Sequence, residues 1–167
     1  TFGADKIEPV NTTETPNPVY GLHDYTLGGG KGSSAQAASS FNDMIKKAFG
    51  HPRDAKQFAE WAQWINYDGY RAIFEGRSEH RRGMLLWMSH SAWPSMVWQT
   101  YDYYFDPNAA YFGCKKASEP LHIQWNPLRD DIEVVNYHAS DRTELTATAS
   151  LFNQDGTLQW TRETILD

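Results

Sequence analysis

The chain is poor in cysteine. It has one, Cys114, which excludes an internal disulfide and any zinc site built wholly from cysteines. It lacks an apolar run approaching the ~20 residues that span a bilayer. It also lacks positive charge: 15 Lys and Arg stand against 21 Asp and Glu, a formal charge of −6. A surface of that sign repels phosphate backbones and argues against a non-specific nucleic-acid binder. Residues 1–17 carry none of the basic-then-apolar pattern of a secretion signal. A mature N-terminus and an internal cut would both read this way. What the chain has is aromatic surface. Its 7 Trp, 9 Tyr and 8 Phe are 14 % of 167 residues, far too much for a disordered tail. The length suffices for one good core, or for one small domain and part of another.

Residues 1–40 read mostly as loop. Pro9, Pro16 and Pro18 are followed by Gly28, Gly29, Gly30 and Gly32. The glycine run is not a phosphate cradle. A Ser or Thr should follow Gly-Lys, but Gly32 follows Gly30-Lys31, and Tyr25 stands where the first glycine belongs. A short helix is expected over 41–49, ending at Gly50 before Pro52. Asp54 can cap a second helix over 55–75, where Phe58, Trp61, Ala62, Ile65, Ile73 and Phe74 mostly step by three or four. Gly69 weakens that helix without ending it. Met84-Leu85-Leu86-Trp87-Met88 is wholly apolar between Gly83 and Ser89-His90-Ser91. Such a run predicts a strand buried on both faces, as in a parallel sheet under helices. A helix starting at Pro94 is expected over 94–105, and another over 108–118, closed by Glu119-Pro120.

The texture changes after Pro120. Residues 122–125, 132–137, 145–152 and 157–161 read as short strands, with Asn153-Gln154-Asp155-Gly156 as a hairpin turn. Turns at this spacing suggest a β-sandwich, and only about four of its strands fit. A boundary is therefore placed near Ser118 to Leu121. The α/β part is incomplete at its start and the β part at its end, so the chain reads as a window of a longer protein.

The stretch from Leu86 to Trp98 carries the richest chemistry. It places tryptophans, serines and a histidine where a buried parallel strand ends, the edge at which α/β folds bind substrates. Tryptophan suits a sugar face, because pyranose C–H bonds pack on its π-surface. The plainer reading is that these aromatics are core.

Trp87, Trp93-Pro94, Tyr111-Phe112-Gly113, Lys115-Lys116-Ala117 and Glu119-Pro120 resemble, in order and spacing, the end of the catalytic barrel of glycoside hydrolase family 2. The similarity is to the branch of exo-β-D-glucosaminidases and β-mannosidase-like enzymes. Upstream, Gly21-Leu22-His23-Asp24-Tyr25 and Asn66-Tyr67-Asp68-Gly69-Tyr70-Arg71 look like the same branch. The resemblance implies that residues 1–119 are the terminal part of a (β/α)8 TIM barrel and 120–167 the first strands of an immunoglobulin-like β-sandwich. It implies retaining hydrolysis of a β-linked glycoside or oligosaccharide by two glutamates, which need ~5 Å between their carboxyl groups. Both are expected upstream of Thr1. Glu8 and Glu14 do not follow an apolar strand. The isolated chain is therefore expected to be inactive and to need the remainder of its parent enzyme.

By the same resemblance Trp87 lines the subsite of the sugar that is cleaved. Trp93, His23 and Asp24 are further substrate-binding candidates. His90 and Ser91 stand where many relatives have an Asn-Asp pair, and His90 can hydrogen-bond a hydroxyl. Six scattered histidines show no metal-ligand spacing. No metal or cofactor, no nucleic acid and no membrane is implied, and enzymes of this kind are commonly exported to the periplasm or beyond. The alternative is a non-catalytic carbohydrate-binding or structural module.

Overall fold

The computed structural model describes residues 23, 41, 43–76, 83–95 and 99–166. Asp24, Glu8 and Glu14 lie outside the described residues. The chain divides into two compact units, one ending at Ala117 and one starting at Ser118, with Glu75 and Gly76 counted in the second.

The first unit is built on helices. Residues 43–49 are helical, and the turn closes where Gly50 N–H donates to the Lys46 carbonyl at 2.9 Å. Gly50 has φ +90°, a conformation that costs a glycine little and other residues much. Helix α1, Ala55–Glu75, starts as its sequence signals. The Asp54 carboxylate accepts from Gln57 N–H at 2.8 Å, and the Gln57 side chain accepts in return from Arg53 N–H at 3.0 Å. Its inner stripe forms the core. Ile45 (0 % exposed) and Phe58 are the centre, with Phe41, Trp61, Ala62 and Ile65 packed on them. The Phe49 and Trp61 rings stack at 5.4 Å.

Helix α2, Ala109–Ala117, is capped twice. Asn108 Oδ1 accepts from Ala110 N–H at 3.0 Å, and Gln63 of α1 accepts from Ala109 N–H at 2.8 Å. The two helices meet backbone to backbone at Gly113. A Cβ there would overlap the Tyr67 carbonyl oxygen and press on Arg71 N. Lys115 and Lys116 fall in the last turn, where cations suit the helix dipole. Among the described residues no helix is long and apolar enough to cross a membrane.

Two expected elements differ. Residues 84–88 are irregular, not a strand: Leu85 is 96 % exposed and Met88 takes φ +62°. A strand apolar on both faces takes its form from a neighbour on each edge and helices on each face. Among the described residues, 84–88 has no such neighbour. Residues 99–105 are not helical either. They form a hairpin-like excursion. Tyr101 N–H donates to the Ser89 carbonyl at 3.0 Å, Asn108 N–H to the Thr100 carbonyl at 3.1 Å, and Asp102 N–H to the Asp106 carbonyl at 3.0 Å. The Asp102 carboxylate accepts from Tyr104 and Asp106 N–H groups at 2.8 and 3.0 Å. An aspartate bonding its own turn competes with a helix at that point.

The second unit consists of two antiparallel hairpins in separate two-stranded sheets. β1, Leu121–Asn126, pairs with β2, Asp131–Asn136, with Gln124 opposite Glu133. β3, Leu145–Phe152, pairs with β4, Leu158–Leu166, with an irregularity at Leu151/Phe152. β4 runs on past the Thr161 at which the sequence pattern stops. Gly156, φ +84°, and Asp155, which accepts from Thr157 N–H at 2.9 Å, make the turn. β1 inverts the usual alternation. His122, Gln124 and Asn126 are buried, while Ile123 and Trp125 face outward. Trp125 is paired with Ile132, and Leu151 with Trp160, all exposed.

Candidate functional site

Of the sequence candidates, Trp87, His90 and Trp93 fall on segment 83–95 of the first unit, which is hydrogen-bonded to segment 99–108. His90 and Tyr101 form an isolated parallel bridge, and Tyr101 also bridges Pro107. Thr100 adds a hydroxyl hydrogen bond to the Ser89 carbonyl at 3.2 Å. This stitching fixes the backbone just beyond the apolar run.

His90 is drawn into that stitching. Its Nε2–H donates to the Tyr103 carbonyl at 3.2 Å, and its ring stacks on Phe105 with centroids 4.2 Å apart and planes 13° apart. Tyr103 lies nearly parallel at 6.4 Å. Phe105 holds φ +67°, which is strained for an aromatic residue. Its stack on His90 and the Asp102 turn together over-determine the conformation. With Nε2 donating, a neutral His90 ring offers Nδ1 as its acceptor.

His23 is brought 71 positions along the chain to Pro94, where its Nδ1–H donates to the carbonyl at 2.8 Å. That sets His23 beside the Trp93-Pro94 step. Trp93 is 39 % exposed and Trp87 79 % exposed. The described residues do not enclose Trp87 in a cleft. A cavity of about 200 Å³ lies in the second unit, lined by Leu121, His122, Val134, Thr146, Thr148 and their neighbours, and none of the candidates borders it.

Two polar groups here are buried with no signal of it in the sequence. Among the described residues, Ser91 Oγ and Gln99 Oε1 have no hydrogen-bond partner. Nothing in the sequence distinguishes them, because burial of a serine or glutamine is set by distant residues. Cys114 offers no nucleophile. Burial pushes its thiol up, so it is protonated at neutral pH. Burial, with Cys114 beside it, likewise raises Tyr70. Among the described residues no group of three His, Cys, Asp or Glu side chains is arranged to hold a metal ion.

No protein-family model matches the chain. It is 39 % identical over 124 residues to an exo-β-D-glucosaminidase of Amycolatopsis orientalis, an alignment covering 70 % of this chain and 12 % of that protein. It is 32 % identical over 148 residues to a mannosylglycoprotein endo-β-mannosidase of Lilium longiflorum, covering 86 % of this chain and 15 % of that one. The crystal structure of the Amycolatopsis orientalis exo-chitosanase superposes with a TM-score of 0.68 at 36 % identity, over 75 % of this chain and 16 % of that chain. The chain belongs to glycoside hydrolase family 2. It spans well under a fifth of the length of the curated relatives above. Membership of the family rests on an aligned run that extends through most of the described residues. The irregular 84–88 segment does not weaken it, because similarity of sequence survives where a strand has no neighbours to pair with.

Proposed function

We propose that this chain is part of a retaining, exo-acting β-glycoside hydrolase of the β-glucosaminidase or β-mannosidase type, and that it supplies part of the sugar-binding rim. In this reading residues 1–119 close a (β/α)8 barrel and 120–167 open an immunoglobulin-like sandwich. Trp87 packs on the bound sugar, with Trp93, His23 and Asp24 beside it and His90 near the hydroxyls. Both catalytic glutamates lie outside the chain. The observation that carries the proposal is the 39 % identity over 124 residues to an exo-β-D-glucosaminidase. The exposed Trp87 ring supports it. A tryptophan 79 % exposed carries a large apolar face open to solvent, which a pyranose would cover.

His90 plays a positioning part in this scheme. Its Nε2 is committed to Tyr103, so the ring meets a sugar hydroxyl through Nδ1 as an acceptor. The Phe105 stack holds the ring plane in place. No proton-transfer step is assigned to these residues, since in this reading the carboxylates that would carry it lie outside the chain.

The test uses p-nitrophenyl β-D-glucosaminide, a compound with which the Amycolatopsis enzyme has been crystallised. The 167-residue chain should release no p-nitrophenol. The polypeptide extended upstream through the remaining barrel should hydrolyse it, and Trp87→Ala in that longer protein should lower kcat/KM by about 10- to 100-fold, the loss of one buried aromatic contact of about 1.5–3 kcal/mol. Turnover by the chain alone, or an unchanged Trp87→Ala enzyme, defeats the proposal.

A further inference from the structure

The buried face of β1 carries a chain of polar groups that the sugar-binding reading does not use. His122 is 9 % exposed. Its Nδ1 lies 2.6 Å from the Glu119 carbonyl oxygen, and its Nε2 lies 3.0 Å from Gln124 Oε1. The orientation of the Gln124 amide is settled by its other contacts. Its nitrogen donates to the Glu75 carbonyl at 3.1 Å and to Glu133 Oε1. Both of those atoms only accept. Turning the amide over would place its oxygen against two acceptors, so the oxygen must face His122.

A neutral imidazole has one N–H and one bare nitrogen. Here both ring nitrogens face oxygens that cannot donate. Whichever tautomer is chosen, the bare nitrogen would set its lone pair against an oxygen lone pair inside a buried network, where an unmade hydrogen bond costs most. Only the doubly protonated ring satisfies both contacts.

We propose that the fold holds His122 as an imidazolium, which makes the β1–β2 hairpin and its hold on the Glu75 and Glu119 main chain dependent on a proton. The charges around the ring agree with that state. From β2, the Glu133 carboxylate reaches His122 through the single Gln124 amide. Its other oxygen takes the Arg129 guanidinium, which also pairs with Asp131 at 2.9 Å. From β3, Thr146 and Thr148 line the cavity that His122 borders, and Thr148 donates to Glu163 of β4 at 3.3 Å. Val135 sits directly opposite His122 and is apolar. On β2 the carboxylate joined to the ring through Gln124 is Glu133, with Arg129 set beyond it, and β4 carries both Arg162 and Glu163. A folded state that binds a proton the unfolded chain releases is most stable on the acid side. It loses that stability as pH rises through the histidine range.

The deciding measurement is ring ¹⁵N NMR on the full chain, with the exposed His51 and His138 rings titrated in the same sample. At pH 7 the His122 ring should show both nitrogens protonated. It should keep that signature at a pH where the exposed His51 and His138 rings have lost it. His122→Gln should flatten the dependence of stability on pH between about 6 and about 8. A His122 ring with one bare nitrogen at pH 7, or one that titrates together with His51 and His138, overturns the proposal.

Discussion

Two glycine-to-alanine changes on the same pair of helices should move stability in opposite directions. In a helix interior alanine is favoured over glycine by about 1 kcal/mol, chiefly because glycine loses more backbone freedom on folding. Gly69 of α1 is exposed and has nothing within 4 Å of a Cβ built on it. Gly69→Ala should therefore realise most of that gain, about 0.5–1 kcal/mol. Gly113 of α2 has the same propensity term and a steric term against it. Its new methyl would overlap the Tyr67 carbonyl oxygen, with the Arg71 nitrogen at 3.1 Å and the Tyr67 carbonyl carbon at 3.2 Å. These are backbone atoms inside α1 and cannot rotate aside. α2 would have to retreat by roughly an ångström to restore ordinary contact. That movement loosens the buried Ala110 and Ala117 and strains the Gln63 contact to Ala109. Overpacking of this kind costs about 1–3 kcal/mol, so the net for Gly113→Ala is a loss of about 1–2 kcal/mol. Urea denaturation followed by far-UV circular dichroism reads both variants against the parent chain. With a slope of about 1–3 kcal/mol per molar urea, the two midpoints should separate by roughly 1 M. Midpoints that shift in the same direction, or a neutral Gly113→Ala, would show that the helices do not meet at this glycine.

Asp54→Ala should fray the first turn of α1, seen as faster amide exchange at Gln57 and Phe58. The Gln57 N–H holds the Asp54 carboxyl below its ordinary value, so the cap is complete at neutral pH and is lost as pH falls through the carboxyl's range in the fold. Glu133 behaves in the same sense. Burial pushes its carboxyl up, but hydrogen bonds from Arg129, Gln124 and Asn126 outweigh this and leave it lowered. Arg129→Ala should raise the Glu133 titration midpoint measured by carboxyl ¹³C NMR and move the acid loss of the β1–β2 hairpin to higher pH. An unchanged midpoint would mean that the Arg129 contact is not kept in solution.

Helix α1 could be read from sequence at both ends, because its signals are local. Asp54 caps, the apolar stripe repeats within one element, and Gly76 follows. The β3–β4 turn was legible for the same reason, since Asp155 and Gly156 carry the geometry themselves. Residues 84–88 were not. Their apolar pattern encodes a demand for neighbours on both edges, and a pattern cannot form a strand when the described chain holds no partner. The excursion at 99–105 misled differently. Its aromatics suggested a packed helix, but Asp102 bonds the turn amides and Phe105 takes a left-handed conformation, choices that a residue count does not reveal. Among the site candidates, Trp87 and Trp93 were visible as residue types. The commitment of His90 to Tyr103 and Phe105, and of His23 to Pro94, was not.

By itself the sequence determined the elements whose hydrogen bonds close within a few residues, and also the family, since that is carried by residue identity and spacing. Only the tertiary structure decided that β1 turns His122, Gln124 and Asn126 inward and leaves Trp125 outside. The physical reason is that a strand's two faces are equivalent until something packs on one of them. Here the inward face is the one whose polar groups find Glu75, Glu119 and Glu133, partners up to 49 positions away along the chain.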